Sequence, residues 1–348
     1  FTHTILEWSA FCAAIFTVLL AFAHFKIKQD IVTPLIGITL FYAGCMDAFH
    51  TLAADRLIEA VADNRNLIPF TWAICRLFNP LILIAGLGII IMGKEKKTLA
   101  NFKLILFSSL IFGLIAYLII HFCATSKNLP QTMYPDSMIT RPYDVVPLII
   151  FIIAGIFIFP GFYKKEPSLF SHALIIGLIP NIVTQVHMAF GSTSLFDNHF
   201  NIAHFLKIFA YMVPLGGLLL DYIHTHQIEK QSRRAFQEGE ERIRAIVDNV
   251  MNGIITIDNK GIINSFNHAA EEMFSYSASE VIGKNVSLLM PEPYSSEHNR
   301  YLANYLSSRQ PKIIGMGREV IGKRKDATVF SMYIAVSEMQ HGEKHMFV

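Results

Sequence analysis

Ionisable side chains interrupt the apolar stretches that make up residues 1–222 of the chain. They are His3, Glu7, Asp47, His50, Arg76, His121, His187, His204 and Lys207. Burying such groups in lipid costs free energy, so those that lie within membrane segments face the protein interior and mark functional sites. His204 and Lys207 are three residues apart and share one helix face, as do Asp47 and His50. The sequence therefore predicts a polar pocket inside a membrane bundle.

The residue types in this predicted pocket suit two kinds of ligand. Imidazole and carboxylate groups on facing helices can coordinate a borderline divalent metal ion. A metal site would draw on His3, Asp47, His50 and His204. Arg76 and Lys207 would instead suit an anion, and the spacing leaves both ligands open. A third interpretation is structural, with Glu7 or Asp47 paired to a basic residue to hold the helices together.

Seven apolar stretches carry these residues, and each reaches the roughly 20 residues that a helix needs to cross a bilayer. They are residues 4–25, 31–53, 67–92, 104–123, 144–163, 168–190 and 200–222. The chain of 348 residues is 53% hydrophobic and 16% charged, with a mean hydropathy of +0.42. Soluble enzymes have a lower apolar content. We predict an all-α seven-helix transmembrane bundle over residues 1–222.

Lysine and arginine residues in the loops between these stretches predict the orientation of the bundle. Eleven lie on one side: Lys26, Lys28, Lys94, Lys96, Lys97, Lys103, Lys164, Lys165, Lys230, Arg233 and Arg234. Four lie on the other: Arg56, Arg65, Lys127 and Arg141. Cytoplasmic loops carry the excess of positive charge. The N-terminus is therefore expected outside, the C-terminus in the cytoplasm, and the polar pocket in the outer half of the membrane.

A charged, helix-prone segment over residues 223–242 follows the last span without a break. Phe236, Gly239, Ile243, Ile246 and Val250 recur at three- and four-residue spacing, which is typical of a short coiled-coil seam. We expect a signalling helix that pairs in parallel with a second copy of the chain. The alternative is a solvated amphipathic helix that packs on its own domain.

Short strands and helices are predicted over residues 243–348. GIITID, an NKG turn and IINSFN form a hairpin, and EPYSSEHNRYLANYLSS forms a longer helix. Two alternating strands follow, around a turn at residues 325–327. This order predicts an α/β domain with a five-stranded antiparallel sheet.

The segments HTILEWSA, GCMDAFHTLA, WAICR and FNIAHFLKIFAY resemble the third type of bacterial membrane-associated sensor domain, over about residues 1–225. The residues that match its motifs are His3, Glu7, Asp47, His50, Arg76, His204 and Lys207. Such domains are multi-helix modules at the N-terminus of histidine kinases and diguanylate cyclases. The resemblance implies a sensor in the bacterial inner membrane without naming its stimulus.

The motifs GIITID, EVIGKNV, LMPEPY and GREV resemble the PAS domain of FixL-type oxygen sensors, over residues 243–348. That resemblance implies haem b, with His298 as the axial ligand of the iron and Arg318 as the donor to bound gas. This chain departs from the subfamily at Asn304, where haem sensors often carry an arginine. It departs again at Ala327, in place of the usual turn glycine, and at Ser331, in place of a usual proline. These departures concern haem retention rather than the fold.

Kinase, cyclase and phosphodiesterase motifs are absent, and the chain ends at Val348 within the predicted last strand, so the PAS domain is expected to be truncated. We expect the input module of a sensor histidine kinase, with a response regulator as partner through an output domain outside this chain. The alternatives are a diguanylate cyclase sensor, a membrane redox module that holds haem or metal, and a mere anchor for the PAS domain. Expected partners are membrane lipid and a second copy, with no nucleic acid. A retinal on Lys207 is disfavoured, because a chromophore lysine lies at the middle of its span.

Overall fold

The computed structural model describes residues 2–93, 102–308, 315, 317–341 and 344–348. Contacts divide the chain into two compact units, Phe1–Gln231 and Ser232–Val348. The first unit is helical and the second contains all the described strands. Each unit is considered by itself below.

Nine α-helices form or enter the first unit in the described part of the chain. They are α1 (Thr2–Lys28), α2 (Val32–Ala54), α3 (Asn64–Met92), α4 (Phe102–Thr125), α5 (Pro142–Ile153), α6 (Phe159–Lys165), α7 (Leu169–Ile176), α8 (Leu178–Val186) and α9 (Asn198–Asn249). Seven segments among the described residues are long and apolar enough to span a membrane. The predicted seven-span helical architecture is confirmed.

Two of the seven spans are not single regular helices. A π-helical turn, Ala154–Ile158, joins α5 to α6, and a second, His187–Gly191, follows α8. Pro160 and Pro180 lie in these spans, and proline removes a backbone donor from a helix. Such π-helical turns are frequent at functional sites. Uniform apolar runs carry no signal for them, so the sequence indicated unbroken spans.

Helix α2 is the most deeply buried span, because small residues let α1 approach its backbone closely. A Cβ atom added at Gly44 would lie 2.6 Å from the Cβ of Ala14, and one added at Gly37 would lie 2.7 Å from that of Ala21. Small residues at helix contacts favour close packing in membranes. The α1–α2 pair therefore forms a rigid base for the polar residues at its end.

Helix α9 begins where Asp197 accepts hydrogen bonds from the backbone. Its Oδ1 accepts from the amide of Phe200 at 2.7 Å, and its Oδ2 accepts from Thr193 and Ser194 at 2.7 and 3.0 Å. An aspartate at this position satisfies amides that a helix start leaves unpaired. From there α9 continues for 52 residues. One unbroken helix thus begins among the polar residues and ends shortly before the first strand in the sequence.

Six strands and three helices build the second unit within the described residues. They are β1 (Ile255–Asp258), β2 (Ile263–Phe266), α10 (His268–Phe274), α11 (Ala278–Val281), α12 (Tyr294–Ser308), β3 (Arg318–Lys323), β4 (Val329–Ile334), β5 (Glu338–His341) and β6 (Lys344–Phe347). The four-stranded sheet has the order β2-β1-β6-β5, and β3 pairs with β4 in a second, two-stranded sheet. All of these pairings are antiparallel. The core of the second unit is apolar, with Ile263, Phe274 and Val281 fully buried.

The strand count differs from the predicted five because one expected strand is interrupted. Residues 335–337 separate β4 from β5. The part before the break pairs with β3, where Val329 faces Lys323, and the part after it pairs with β6. Alternating apolar and polar residues continue through the break, so the sequence pattern predicted one long strand. The antiparallel α/β fold itself is as predicted.

Candidate functional site

The predicted polar residues of four helices meet at one end of the helical unit. At this end α1, α3 and α9 begin and α2 ends. The side chains that converge there are His3 and Glu7 from α1, Asp47 and His50 from α2, Arg76 from α3, and His204 and Lys207 from α9. All of them are buried. We call these seven residues the polar cluster.

An ion triad lies at the centre of the polar cluster. The Lys207 ammonium donates to both carboxylate oxygens of Glu7 and lies 3.2 Å from Oδ1 of Asp47. Tyr211, one turn further along α9, donates its hydroxyl to Oδ2 of Asp47 at 2.7 Å. The Lys207 ammonium also lies 5.1 Å from the ring centroid of Trp72, a cation–π contact. The triad joins α9 to both α1 and α2 and carries one negative charge in excess when all three groups are ionised.

Three histidines lie together beside the triad. One ring nitrogen each of His3, His50 and His204 falls within 4.8 Å of the other two. The Nε2 atoms of all three are buried and have no hydrogen-bond partner among the described residues. Nε2 of His204 lies 3.2 Å from Oε1 of Glu7 without forming a hydrogen bond to it. Asp47, which the sequence placed in the same metal set, is instead engaged by the ion triad.

Hydrogen bonds on the opposite ring nitrogens orient two of these histidines. Nδ1 of His204 donates to the carbonyl of Phe200 at 2.7 Å. Nδ1 of His50 lies 2.9 Å from the hydroxyl of Thr71, which itself donates to the carbonyl of Ile68. Because that hydroxyl proton is already used, Thr71 accepts from His50, and Nδ1 carries the proton. In its neutral form each of these rings therefore presents an unprotonated Nε2.

Aromatic rings enclose the three histidines. The ring centroid of His204 lies 4.0 Å from that of Phe200 and 4.3 Å from that of Trp72. The His3 ring packs edge-on against the His204 ring at 4.7 Å. Trp72 donates its indole N–H to Oδ1 of Asp144, at the start of α5, at 2.9 Å. The walls are apolar and the base of the site is charged.

A second polar layer extends the cluster to α5 and α8. Arg76 donates through Nη2 to Oδ1 of Asn181 at 2.8 Å. With its amide oxygen toward Arg76, Gln185 accepts from Nε at 2.6 Å and donates to Oδ1 of Asp144 at 3.0 Å. Arg141, which the loop count had placed outside the bundle, is also buried, and it donates to the hydroxyl of Ser192 at 2.8 Å.

Comparison with known proteins identifies both units. The membrane-associated sensor domain (MASE3) profile matches residues 1–224, nearly two thirds of the chain, and the PAS fold profile matches residues 241–348. The chain belongs to the membrane-associated sensor domain family. The matched sensor domain contains the whole polar cluster, and a PAS domain follows it.

The PAS part of the chain has curated relatives. The sensor protein FixL of Bradyrhizobium diazoefficiens is 42% identical over 133 residues, which are 38% of this chain and 26% of FixL. The cell-division control histidine kinase PdhS of Brucella ovis is 26% identical over 111 residues, 32% of this chain and 11% of PdhS. The chain thus spans about a quarter or less of these relatives. A PAS domain of an HTR-like protein from Haloarcula marismortui matches 34% of this chain and 93% of its own at a TM-score of 0.30 and 18% identity.

Two histidines that the sequence assigned to the pocket lie outside the polar cluster of the sensor domain. His121 is exposed on α4, where its ring stacks on that of Tyr117. His187 is half-buried, and its Nδ1 lies 2.9 Å from Nδ1 of His199. Both are near helix ends, where a polar ring edge reaches the surface. The sequence indicated how far along its span each of these histidines lies. It did not indicate which face of the helix carries the side chain.

The two residues that the PAS resemblance singled out lie on different elements. His298 is on α12, half-buried, and its Nδ1 is buried without a hydrogen-bond partner among the described residues. Burial lowers the pKa of this histidine, so the ring is neutral at pH 7. Arg318 is exposed at the start of β3.

Sequence reasoning missed several residues of the site. Trp72, Tyr211, Asp144, Asn181 and Gln185 all contact the polar cluster or its second layer. Tyr211 lies one turn after Lys207, and Trp72 lies one turn before Arg76. A search of the positions one helical turn from each predicted polar residue would therefore have found Tyr211 and Trp72.

Proposed function

We propose that this chain is the sensory input module of a bacterial membrane receptor, most simply of a sensor histidine kinase that acts on a response regulator. The observation that carries the proposal is α9, whose first turns supply His204 and Lys207 to the polar cluster and which continues unbroken to Asn249. The names of two relatives, a sensor protein and a histidine kinase, support it. A diguanylate cyclase input is the alternative that the family resemblance leaves open.

The ion triad gives the polar cluster a means to respond to a ligand. Lys207 is shared between Glu7 on α1 and Asp47 on α2, so its two contacts compete for one ammonium group. Charged groups in a membrane interior interact strongly because little water screens them. A ligand that binds to either carboxylate, or beside it, changes the forces on the first turns of α9. Sensing then consists of a shift of α9 against the α1–α2 pair.

Helix α9 packs closely against α7 between the polar cluster and its second half. A Cβ atom at Gly217 would lie 2.1 Å from the Cβ of Ala173 and 3.1 Å from the carbonyl oxygen of Leu169, so α9 touches α7 backbone to backbone there. Pro214 lies one turn earlier and removes a hydrogen bond from the helix. A displacement at Lys207 passes through this contact before it reaches the second half of α9.

The second half of α9 presents apolar side chains that its own chain leaves uncovered. Phe236, Ile243 and Ile246 are 74%, 65% and 55% exposed. With Gly239 they follow heptad spacing, which fits a parallel seam between two helices. We propose that a second copy of the chain covers them and that the receptor signals as a dimer. Residues 223–242 then serve as a coiled-coil linker between domains at 1–222 and 243–348.

Charge supports an orientation with the polar cluster outside and the PAS domain in the cytoplasm of a bacterial inner membrane. Lys26, Lys28, Lys164 and Lys165 lie at the end of the helical unit opposite the polar cluster. Lys165 donates to the carbonyls of Ile90, Ile91 and Gly93 at the end of α3. The positive-inside rule favours the cytoplasm for this end. The cluster then samples the periplasmic side.

Residues of the PAS unit fit the haem that the FixL resemblance implies. His298 presents a neutral imidazole with a buried, unpartnered nitrogen, and α12, which carries it, has no fully buried residue. The inward strand residues Phe330 and Met332 are only half-buried. Half-buried apolar side chains such as these suit contact with a flat apolar group. We propose that His298 holds haem iron, which when bound supplies a site for a diatomic gas, and that the exposed Arg318 swings inward to meet that gas.

A hybrid receptor tests the proposed function. The histidine-kinase part of PdhS is joined after residue 348, and phosphorylation is followed in membrane vesicles. We expect Lys207→Met in the ion triad to change the rate of autophosphorylation at least threefold. His121→Ala, an exposed histidine in the same domain, should leave it unchanged. Equal rates for all three proteins, at equal membrane levels, would show that the helical unit is only an anchor.

A further inference from the structure

We propose that His3, His50 and His204 form a binding site for a late first-row transition-metal ion, copper or zinc. This inference rests on the proposed sensor function, because it names the ligand of the same polar cluster. The three residues come from α1, α2 and α9, so an ion held by all three would tie the signalling helix to the α1–α2 pair. The site is one of neutral nitrogen donors rather than of carboxylates.

Geometry is the first argument. One ring nitrogen from each histidine lies within 4.8 Å of the other two. Metal–nitrogen bonds of about 2.0–2.1 Å place imidazole nitrogens about 3.3–3.5 Å apart around one ion. Nitrogens that start within 4.8 Å of one another need to close by at most about 1.5 Å, which side-chain rotations can supply. An ion that binds here therefore links side chains from three helices.

The tautomers of the rings are the second argument. A ligand histidine donates its remote N–H to a carbonyl or hydroxyl group, which fixes the lone pair on the nitrogen that faces the metal. His204 does so toward the carbonyl of Phe200, and His50 does so toward the hydroxyl of Thr71. The hydroxyl of Thr71 is held in turn by the carbonyl of Ile68. Both Nε2 lone pairs are thus prepared before any ion binds.

Unsatisfied burial is the third argument. The Nε2 atoms of His3, His50 and His204 are buried, and none has a hydrogen-bond partner among the described residues. Buried polar atoms are nearly always paired, and each exception calls for an explanation. Three such atoms on neighbouring histidines would be costly in a purely structural cluster. A bound ion satisfies all three at once.

Donor chemistry selects the class of ion. Imidazole nitrogen suits copper, zinc, iron and nickel, whereas calcium and magnesium prefer oxygen ligands. The nearest carboxylates, those of Glu7 and Asp47, are engaged by Lys207. Among divalent ions of the first row, copper binds nitrogen donors most tightly, and zinc readily accepts a low-coordination site built from three histidines. The site therefore discriminates against the abundant oxygen-seeking ions.

The ion triad supplies a route from the metal to α9. Oε1 of Glu7 lies 3.2 Å from Nε2 of His204 and also accepts from Lys207. A cation at the three nitrogens attracts this carboxylate and weakens its hold on the ammonium. Lys207 then leans toward Asp47, 3.2 Å away. Metal binding thus weakens the contact of Lys207 with Glu7 on α1 and strengthens its contact with Asp47 on α2.

Metal binding is tested on the whole chain, purified in lipid nanodiscs through a tag without histidine and stripped with a chelator. Cu(II) and Zn(II) are added separately in competition with a chromogenic chelator, and bound metal is counted by elemental analysis. We expect one ion per chain, with affinity lowered at least 100-fold in His50→Ala and in His204→Ala. His121→Ala and His187→Ala are matched controls and should bind as the wild type does.

A milder variant separates ligation from folding. Thr71→Val keeps the shape of the side chain and removes only the acceptor of the His50 N–H. Loss of such a partner lowers metal affinity about 10- to 100-fold. Cobalt(II) offers a second readout, because a site with three nitrogens and low coordination gives strong visible absorption bands. Weaker binding in Thr71→Val, with cobalt bands that shift, supports the site.

Absence of tight binding to the wild type, or equal losses in the His121→Ala control, would overturn the metal inference. The hybrid kinase keeps this result distinct from the proposed function. A chain that binds no metal while Lys207→Met still alters phosphorylation has a polar cluster that senses something else. A chain that binds metal without any change in phosphorylation holds the ion but fails as the proposed sensor.

Discussion

The ammonium of Lys207 contacts both carboxylate oxygens of Glu7, a residue 200 positions earlier in the chain. This contact fastens the start of the longest helix, α9, to the start of the first helix, α1. Asp47 on α2 adds a third charge within 3.2 Å of the same ammonium. Two carboxylates therefore share one cation. Loss of the cation and loss of one carboxylate should have different effects on stability.

Removal of the cation is predicted to cost much more stability than removal of one carboxylate. Lys207→Met leaves Glu7 and Asp47 as buried like charges, and breaking a buried ion pair in this way costs about 3–5 kcal/mol. Glu7→Gln retains an acceptor for Lys207 and leaves a neutral pair with Asp47, so we expect a loss of about 1 kcal/mol. Unfolding can be followed by tryptophan fluorescence, since both tryptophans, Trp8 and Trp72, lie in the helical unit. Equal losses would contradict a shared cation.

Adjacent glycines on α9 are predicted to respond differently to a methyl group. Gly217→Ala places its Cβ against Ala173, and such overpacking costs about 1–3 kcal/mol. Gly216→Ala meets no atom within 4 Å and should be neutral or slightly stabilising. Thermal unfolding in the same detergent compares the two. A Gly217→Ala protein as stable as the Gly216→Ala protein would show that α9 and α7 are not in backbone contact.

The PAS turn at residues 325–327 is predicted to gain stability from glycine. Ala327 has φ of +67°, a left-handed conformation that costs a residue with a Cβ about 1 kcal/mol. Ala327→Gly should therefore raise the free energy of unfolding of the PAS unit by up to that amount. Ala303→Gly, in the exposed middle of α12, should lower it by about 1 kcal/mol. Hydrogen exchange of PAS peptides gives both values, and a loss of stability in Ala327→Gly would speak against the left-handed turn.

Acid should weaken the PAS unit through His298. Burial lowers its folded pKa below the usual 6.5 of histidine, so the unfolded chain binds a proton first as the pH falls. The stability it contributes is complete above pH 6.5 and declines as the pH drops toward the folded pKa. His298→Leu removes this pH-dependent component. The stability of the variant relative to that of the wild type should therefore increase as the pH falls from 8 to 5. Parallel pH profiles of the two proteins would show that His298 is solvated.

Much of the polar cluster could be predicted from the sequence, because lipid makes each buried charge conspicuous. All seven of its residues stand out as ionisable groups within apolar runs: His3, Glu7, Asp47, His50, Arg76, His204 and Lys207. The seven spans follow from length and hydropathy alone. The antiparallel PAS unit follows from short alternating segments.

The remaining features depend on packing that no local pattern encodes. Trp72 and Tyr211 look like ordinary apolar residues of a span, and their polar atoms matter only because Asp144 and Asp47 face them. His121 has the right depth but lies on the outer face of α4. The break between β4 and β5 falls within a continuous alternating pattern. Which helices become neighbours, and which faces turn inward, is decided by tertiary contacts.

Hydrogen–deuterium exchange of residues 223–249 tests the central claim most directly, because it asks whether the polar cluster controls the far half of α9. Wild type, Lys207→Met and His121→Ala are compared in nanodiscs at equal temperature and pH. The account predicts that Lys207→Met changes the exchange rates in this segment severalfold, whereas His121→Ala leaves them unchanged. Changes confined to the helix ends around the polar cluster, with residues 223–249 identical in all three proteins, would contradict signalling through α9.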